Sequence, residues 1–296
     1  MIVRVLVVST AWLLSATPAP ALAQNAPDLP PPAQPAEPQP GPEPAKKRAN
    51  QPTPAGRPYE SLVKRDAERR VIPLQEPVTW AAIRRNPTIT KEDWVRLEPV
   101  MLARKAECES IVLRNLDIVE SIEDGALEKI QGDTRQVLKS SGDLVRPLKP
   151  SGGDFCVKLG TDRVLTQAQT RVSQKLASDY NKALAEQYQA SAKRGETPGE
   201  KGTAAVIRRM QLLPIDETIW TYRMLLDEAS RSLDRTLPTL KWSAETLAKI
   251  EPQRAALAAA SDDAARAASM RTLMDTLTPD QRRALLTATI DTREKK

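Results

Sequence analysis

Residues 165–194 read LTQAQTRVSQKLASDYNKALAEQYQASAKR, a sequence that combines a helix start with a long amphipathic repeat. The Thr hydroxyl can accept a hydrogen bond from a free N–H of the first turn, and the Gln three residues later can bond back to the Thr N–H. Apolar side chains then recur at the spacing of one helix face, at Val172, Leu176, Tyr180, Leu184 and Tyr188. The sequence therefore predicts a long helix from about Thr166 to Lys193.

The same start pattern occurs three more times along the chain. In each case an apolar residue precedes Thr or Ser, and a polar side chain follows three residues later. The cap residues proposed on this basis are Thr90, Asp93, Thr166, Gln169, Ser243, Thr278 and Gln281. Pro279 comes directly after one of these caps, at the first helical position, where its missing N–H costs nothing. The pattern predicts a helix beginning at each of the four sites.

Further helices are predicted from apolar spacing alone. A long helix is expected over Trp94–Ile122, with Arg104 and Asn115 at the two polar positions of its apolar stripe. Another is expected over Ile215–Leu233, and an Ala-rich helical region from Ser243 onward, broken near Pro252 and Pro279. No strand-like alternation persists. The predicted body is all-α, with long antiparallel helices in a hairpin or bundle.

The N-terminus has the pattern of an export signal. Met1–Ala23 carries one charge, then the apolar stretch Val5–Ala16, then an Ala-x-Ala site. This pattern predicts cleavage between Ala23 and Gln24 and a periplasmic or secreted protein. The alternative, a single-pass anchor, is disfavoured because Pro18 and Pro20 interrupt the stretch.

A Pro-rich arm follows the signal. Gln24–Pro58 contains 12 prolines and few large apolar residues, so it cannot bury a core. We predict a signal peptide over 1–23, a disordered linker over 24–75 and a helical domain over 76–293. Basic residues outnumber acidic ones over Lys47–Arg70, which indicates either a solvated charge run or a docking patch for anionic polymers.

Composition limits the chemistry. The 296 residues include no His and two Cys, which excludes Ser-His-Asp and Cys-His catalysis and His-bearing zinc sites. We expect no enzymatic activity, no cofactor and no metal. An enzyme with a carboxylate or Lys site ranks last, because no catalytic constellation stands out; a pocket with convergent acids of raised pKa would favour it.

Export would also affect the redox state of the thiols and the charged partners that the chain meets. Cys108 and Cys156 would lie in an oxidising compartment, which favours a disulfide between them; two unpaired thiols are the alternative. The net charge of +6 favours anionic envelope polymers or membrane surfaces as charged partners, and not nucleic acid. The sequence leaves homo-oligomer formation open.

Two of the helix starts are alike over ten residues. Thr90–Pro99 aligns with Ser243–Pro252, so that apolar, basic and Glu-Pro positions coincide. The likeness indicates either an internal duplication of helical units or the shared rules of helix starts.

Leu165-Thr166-x-x-Gln169 and Leu277-Thr278-x-x-Gln281 resemble the LTxxQ motif of the Spy/CpxP group of periplasmic helical proteins. The resemblance covers about ten residues. It implies a cradle of antiparallel helices and a role as an ATP-independent chaperone or an envelope-stress regulator. This chain differs from the group in its greater length, its widely spaced motif copies, its Pro-rich tether and its cysteine pair.

Two functions follow as expectations. The first is an exported, chaperone-like helical binding protein that uses a concave basic and apolar helix face on unfolded or envelope-bound proteins. The second is a tethered structural or adaptor protein, whose basic Pro-rich arm reaches the cell envelope or a helical partner.

Overall fold

The computed structural model of the chain describes residues 60–194 and 202–294. The predicted signal peptide and the Pro-rich arm up to residue 59 lie outside the described residues. Among the helices that are described, none is both long enough and apolar enough to cross a bilayer.

The predicted all-α class is confirmed. The described part of the chain contains no β-strand, only an isolated bridge between Arg65 and Val71. The helices are α1 (Val78–Arg84), α2 (Lys91–Arg114), α3 (Leu116–Glu123), α4 (Ala126–Lys129), α5 (Thr134–Val145), α6 (Phe155–Thr161), α7 (Gln167–Arg194), α8 (Gly202–Leu212), α9 (Asp216–Thr236), α10 (Ala244–Ala259), α11 (Asp263–Thr276) and α12 (Pro279–Glu294). Short 3-10 turns lie at Arg146–Leu148, Leu213–Ile215 and Leu237–Thr239.

The main core forms around α9, which packs against α2, α11 and α12. Its buried face follows helical spacing, with Ile219, Tyr222, Leu225, Ala229 and Leu233 all in one cluster. Each fully buried leucine contributes roughly 2 kcal/mol of hydrophobic stabilisation. A burial face of this kind explains why the predicted helix over Ile215–Leu233 forms.

A second cluster lies on α7 and includes residues that the sequence assigned to the linker. Residues 60–77, which we call the strap, run against α7 ahead of α1. Leu62 and Val71 of the strap are buried among Leu176 and Tyr180 of α7. The backbone N–H of Leu74 also donates to the Tyr180 hydroxyl at 3.1 Å. The predicted linker boundary at residue 75 is therefore wrong for residues 60–75, because two apolar side chains in a polar stretch are enough to anchor it.

Two predicted helix boundaries also differ. The helix expected over Trp94–Ile122 is divided at Asn115, whose side-chain Nδ2 donates to the Ile111 carbonyl at 2.9 Å and so caps α2. The expected break near Pro252 is wrong, since α10 continues through it. Pro252 is exposed, so solvent can bond the carbonyl four residues earlier that the proline leaves free.

Helices α1, α6 and α8 have no counterpart in the predictions. The apolar spacing of Leu127, Ile130, Val137 and Leu138 is compatible with a continuation of the long helix past Gly125 and Gly132, but the chain forms the separate helices α4 and α5 there. At the start of α6, Asp154 accepts hydrogen bonds from the N–H groups of Cys156 and Val157 at 2.8 and 3.3 Å. That cap is sufficient to start a helix of two turns.

Candidate binding cleft

An open cleft of about 540 Å³ lies between the strap, α7, α9 and the end of α8. Its apolar walls come from Leu74, Tyr180, Leu184, Tyr188, Leu212, Leu213, Ile219, Trp220 and Met224. The sequence did not predict this cleft, because its walls come from segments far apart in the chain.

Hydrogen bonds hold the strap along one edge of the cleft. The Trp220 Nε1–H donates to the Gln75 carbonyl at 3.0 Å, and the Val78 N–H donates to Asp216 Oδ2 at 3.1 Å. The second bond gives α1 an acceptor at its N-terminus, where Pro77 has no side chain that could cap it. The C-terminal end of the strap is therefore fixed both to α9, through Gln75, and to Tyr180 of α7, through Leu74.

The opposite edge depends on a turn between α3 and α4. Gly125 has a φ of +79°, a left-handed conformation that glycine adopts without steric cost. The turn returns the chain so that Leu127 is buried in the main core while Glu128 is exposed at the cleft.

The side chains that line the cleft include more acidic than basic groups. Its lining includes five carboxylates and two guanidiniums, whereas the whole chain has a net charge of +6. The carboxylates are Glu76, Glu123, Glu128, Asp216 and Asp227. The expected basic concave face is therefore not what this cleft provides.

Three of the five carboxylates are neutralised by neighbouring arginines. Arg84 pairs with Glu76 at 3.0 Å, Arg223 with Glu123 at 2.8 Å, and Arg231 with Asp227 at 3.0 Å. Within residues 60–194 and 202–294, no Lys or Arg nitrogen lies within ion-pair distance of Asp216 or Glu128.

Asp216 has an unusual protonation equilibrium. Burial raises its pKa from 3.8 to about 7, and the neighbouring charge of Glu217 adds to the shift. The pKa of the Tyr180 hydroxyl is also raised, chiefly by burial and further by the charge of Asp216. The shift follows because desolvation disfavours the ionised carboxylate, and the hydrogen bond from the Val78 N–H and the charge of Arg104 offset only part of this effect.

Glu217, the next residue, belongs to a separate buried network. The Arg104 Nε–H donates to Glu217 Oε2 at 2.6 Å, and the Thr79 hydroxyl donates to Oε1 at 2.7 Å. Arg104 also donates to the Ser151 carbonyl at 2.6 Å, and its guanidinium lies 5.1 Å from the centre of the Phe155 ring. The side chains of Arg104 and Glu217 are 4% and 6% exposed, so this ion pair is buried and well bonded.

An acid pair suited to catalysis needs two carboxylates that converge on one cleft. Asp216 shares the cleft with Glu128 and with three acids that are paired with arginines. Glu217 is bonded to Arg104 and Thr79 and is not part of the lining. Over the described residues, no group of three His, Cys, Asp or Glu side chains is arranged to hold a metal ion.

The predicted cap residues meet in two groups, which we call the first and second cap pairs. In the first, Asp93 and Gln169 each exchange hydrogen bonds with the N-cap Thr of their own helix, Thr90 and Thr166. The Gln169 Nε2–H then donates across to Asp93 Oδ2 at 2.6 Å. Backbone bonding to the Thr90 N–H, aided by Gln169, lowers the pKa of Asp93 to about 2.

The second cap pair joins α10 and α12. The Thr278 N–H donates to Gln281 Oε1 at 2.9 Å, and the Gln281 N–H donates back to the Thr278 hydroxyl at 3.3 Å. Ser243 accepts from the Thr246 N–H at 3.2 Å, and Gln281 Nε2 donates to the Thr246 hydroxyl at 3.3 Å. The arrangement repeats the first pair, with Thr246 in the place of Asp93.

The expected disulfide is not present. Cys108 and Cys156 are both free and fully buried. The Cys108 Sγ contacts Glu217 Oε2 at 4.0 Å. Cys156 is the second residue of α6, and its backbone N–H donates to Asp154 Oδ1 at 2.8 Å. Burial raises the pKa of each thiol to about 12, so neither is a reactive thiolate.

No family model, curated protein or solved structure matches the chain. The resemblance to the Spy/CpxP group therefore stays a prediction from the LTxxQ motifs.

Proposed function

We propose that this chain is an exported helical protein that binds apolar segments of other polypeptides, as a chaperone that works without nucleotide. The observation that carries the proposal is the open cleft of about 540 Å³ with its apolar walls. Clefts of this size with apolar walls and a few polar groups are typical of binding sites.

The composition of the walls suits a varied set of clients. Met224 is 39% exposed in the cleft, and its flexible thioether side chain can adapt to apolar groups of different shape. Tyr180, Tyr188 and Trp220 add rigid ring surface beside it.

Export and chaperone class are supported by sequence patterns. The apolar stretch and Ala-x-Ala site over Met1–Ala23 are typical of a signal peptide. The two LTxxQ motifs resemble those of an exported helical group that includes ATP-independent chaperones.

An aggregation assay tests the proposal. Purified protein without ATP should suppress aggregation of a chemically unfolded client, and Met224→Glu should weaken this suppression because it places a charge in the apolar wall. Val95→Glu is the matched control, since Val95 is 74% exposed on α2 and does not line the cleft. Unchanged suppression by the Met224→Glu variant would contradict the proposal.

The adaptor function is a second candidate, favoured by one observation. Val95 and Leu102 lie two turns apart on one side of α2 and are 74% and 61% exposed. Such a face can pack against a partner helix. If this function is correct, the protein should sediment with isolated cell envelope, and Val95→Glu should release it while Met224→Glu has no effect.

A further inference from the structure

We propose that the cleft selects polypeptide segments that carry Lys or Arg beside apolar side chains, and that Asp216 and Glu128 hold the cationic group. The inference rests on the proposed function, because it specifies the chemistry of the segment that the cleft takes.

The unpaired acids of the cleft favour a cationic ligand. Five carboxylates and two guanidiniums line the cleft, and the nearby arginines leave Asp216 and Glu128 without an ion pair among the described residues. A cation entering the cleft would find these two acids available, whereas an anionic group placed beside them would be repelled.

The Asp216 carboxylate can accept a further hydrogen bond. Asp216 is partly buried in the cleft wall, and its contact with the Val78 N–H uses only one of its oxygens, Oδ2. The other oxygen retains acceptor capacity. An incoming ammonium or guanidinium would therefore supply the opposite charge that this carboxylate lacks.

The remaining polar and aromatic groups of the cleft suit the same ligand. Asn181 lines the cleft, and its buried Oδ1 has no hydrogen-bond partner among the described residues. Tyr180 and Trp220 line the same cleft, and aromatic rings attract cations. Acceptors and rings together recognise a donor-rich cation on an apolar segment.

Calorimetry with three short peptides tests the inference. One peptide combines Leu, Phe and Lys, and the other two replace every Lys by Gln or by Glu. At pH 8, where Asp216 is ionised, we expect the Lys peptide to bind about 10-fold more tightly than the Gln peptide, and the Glu peptide to bind more weakly than either.

Variants locate the effect. Asp216→Asn keeps an acceptor for the Val78 N–H but removes the charge, and should weaken binding of the Lys peptide by about 10-fold without changing that of the Gln peptide. Glu128→Gln changes an exposed residue that tolerates substitution, and should weaken it by about 3-fold. Asp143→Asn is the control, since Asp143 is exposed on α5 and does not line the cleft.

A carbodiimide crosslink gives an independent readout, because it joins a Lys amine of the peptide directly to a nearby carboxylate. The expected product is an amide at Glu128, identified by mass spectrometry.

The outcomes separate the two proposals. If the Lys and Gln peptides bind equally and Met224→Glu weakens both, the charge selection is wrong while the proposed function stands. Absence of binding for all three peptides refutes both. If free spermidine displaces the Lys peptide at equal concentration, the site is one for small amines, and selection of polypeptide segments is overturned.

Discussion

The two cap pairs have the same design in different surroundings. In the first, Asp93 and Gln169 are buried, and the link between the two helices is a charge-assisted bond from an amide to a carboxylate. In the second, Gln281 is half-buried and bonds a neutral hydroxyl, that of Thr246, at 3.3 Å. The comparison shows that one helix-start motif serves as an internal tie at one site and as a surface cap at the other.

The same contrast extends beyond the caps. Arg104 of α2, the helix that Asp93 caps, forms a buried pair with Glu217 of α9, and the two side chains are 4% and 6% exposed. Arg254 of α10 pairs with Asp234 of α9, and these side chains are 45% and 70% exposed. The polar contacts of α2 therefore lie in the interior of the protein, whereas those of α10 lie at its surface.

The largest expected effect on the free energy of unfolding comes from removing the cation of the buried ion pair. Arg104→Met leaves Glu217 buried without its cation and should lower the free energy of unfolding by about 3–5 kcal/mol. Arg254→Met removes an exposed pair and should cost at most about 1 kcal/mol. Urea unfolding compares the two variants, and equal losses would contradict the assignment of Arg104 to the interior.

The next effect concerns pH and Asp216. Its pKa is raised in the folded state from 3.8 to about 7, so the folded state binds the extra proton between these values and stability falls as pH rises through this window. Asp216→Asn removes the penalty and should stabilise the protein at pH 8 by about 1–3 kcal/mol. The gain should vanish near pH 4.

The pKa of Asp93 shifts in the opposite direction, so its contribution to stability depends on pH in the opposite sense. Its pKa is lowered in the folded state from 3.8 to about 2, so the stability it contributes is present above pH 4 and is lost as pH falls toward 2.

A gain from Asp216→Asn that was the same at pH 4 and pH 8 would show that packing, and not ionisation, caused it.

A smaller effect compares the two glutamines. Gln169→Ala removes a buried bond to Asp93 and a partly buried bond to the Thr88 carbonyl, and should cost about 2 kcal/mol. Gln281→Ala removes a half-exposed cap and should cost about 0.5 kcal/mol. Thermal unfolding of the two variants measures the ratio, and a larger loss for Gln281→Ala would reverse the comparison.

The smallest expected effect comes from a substitution that makes the second cap pair resemble the first. Thr246→Asp gives the second cap pair the carboxylate that the first has, within reach of Gln281 and near the positive end of α10. We expect a gain of about 0.5 kcal/mol in the free energy of unfolding. Thr246→Asn is the control without charge, and a gain of the same size would assign the effect to hydrogen bonding alone.

The helix starts could be predicted because each depends on residues within one turn. Thr166 and Gln169 lie three residues apart, and their mutual bonding needs no other part of the chain. The bond from Gln169 to Asp93 could not be predicted, since 76 residues separate them.

One signal for the buried network was present in the sequence. Arg104 interrupts the apolar stripe of α2 between Met101 and Cys108, and a long charged side chain on a buried face needs a partner. The sequence does not identify that partner as Glu217, which is 113 residues further along. Likewise, the strap and the acids of the cleft depend on tertiary packing that no local pattern specifies.

The shared side chain of the first cap pair has a consequence for motion. Gln169 bonds the start of its own helix and the start of another at once, so neither helix end can fray without loosening its neighbour. In hydrogen–deuterium exchange, the amides of Asp93 and Gln169 should open together, with one rate and one response to denaturant.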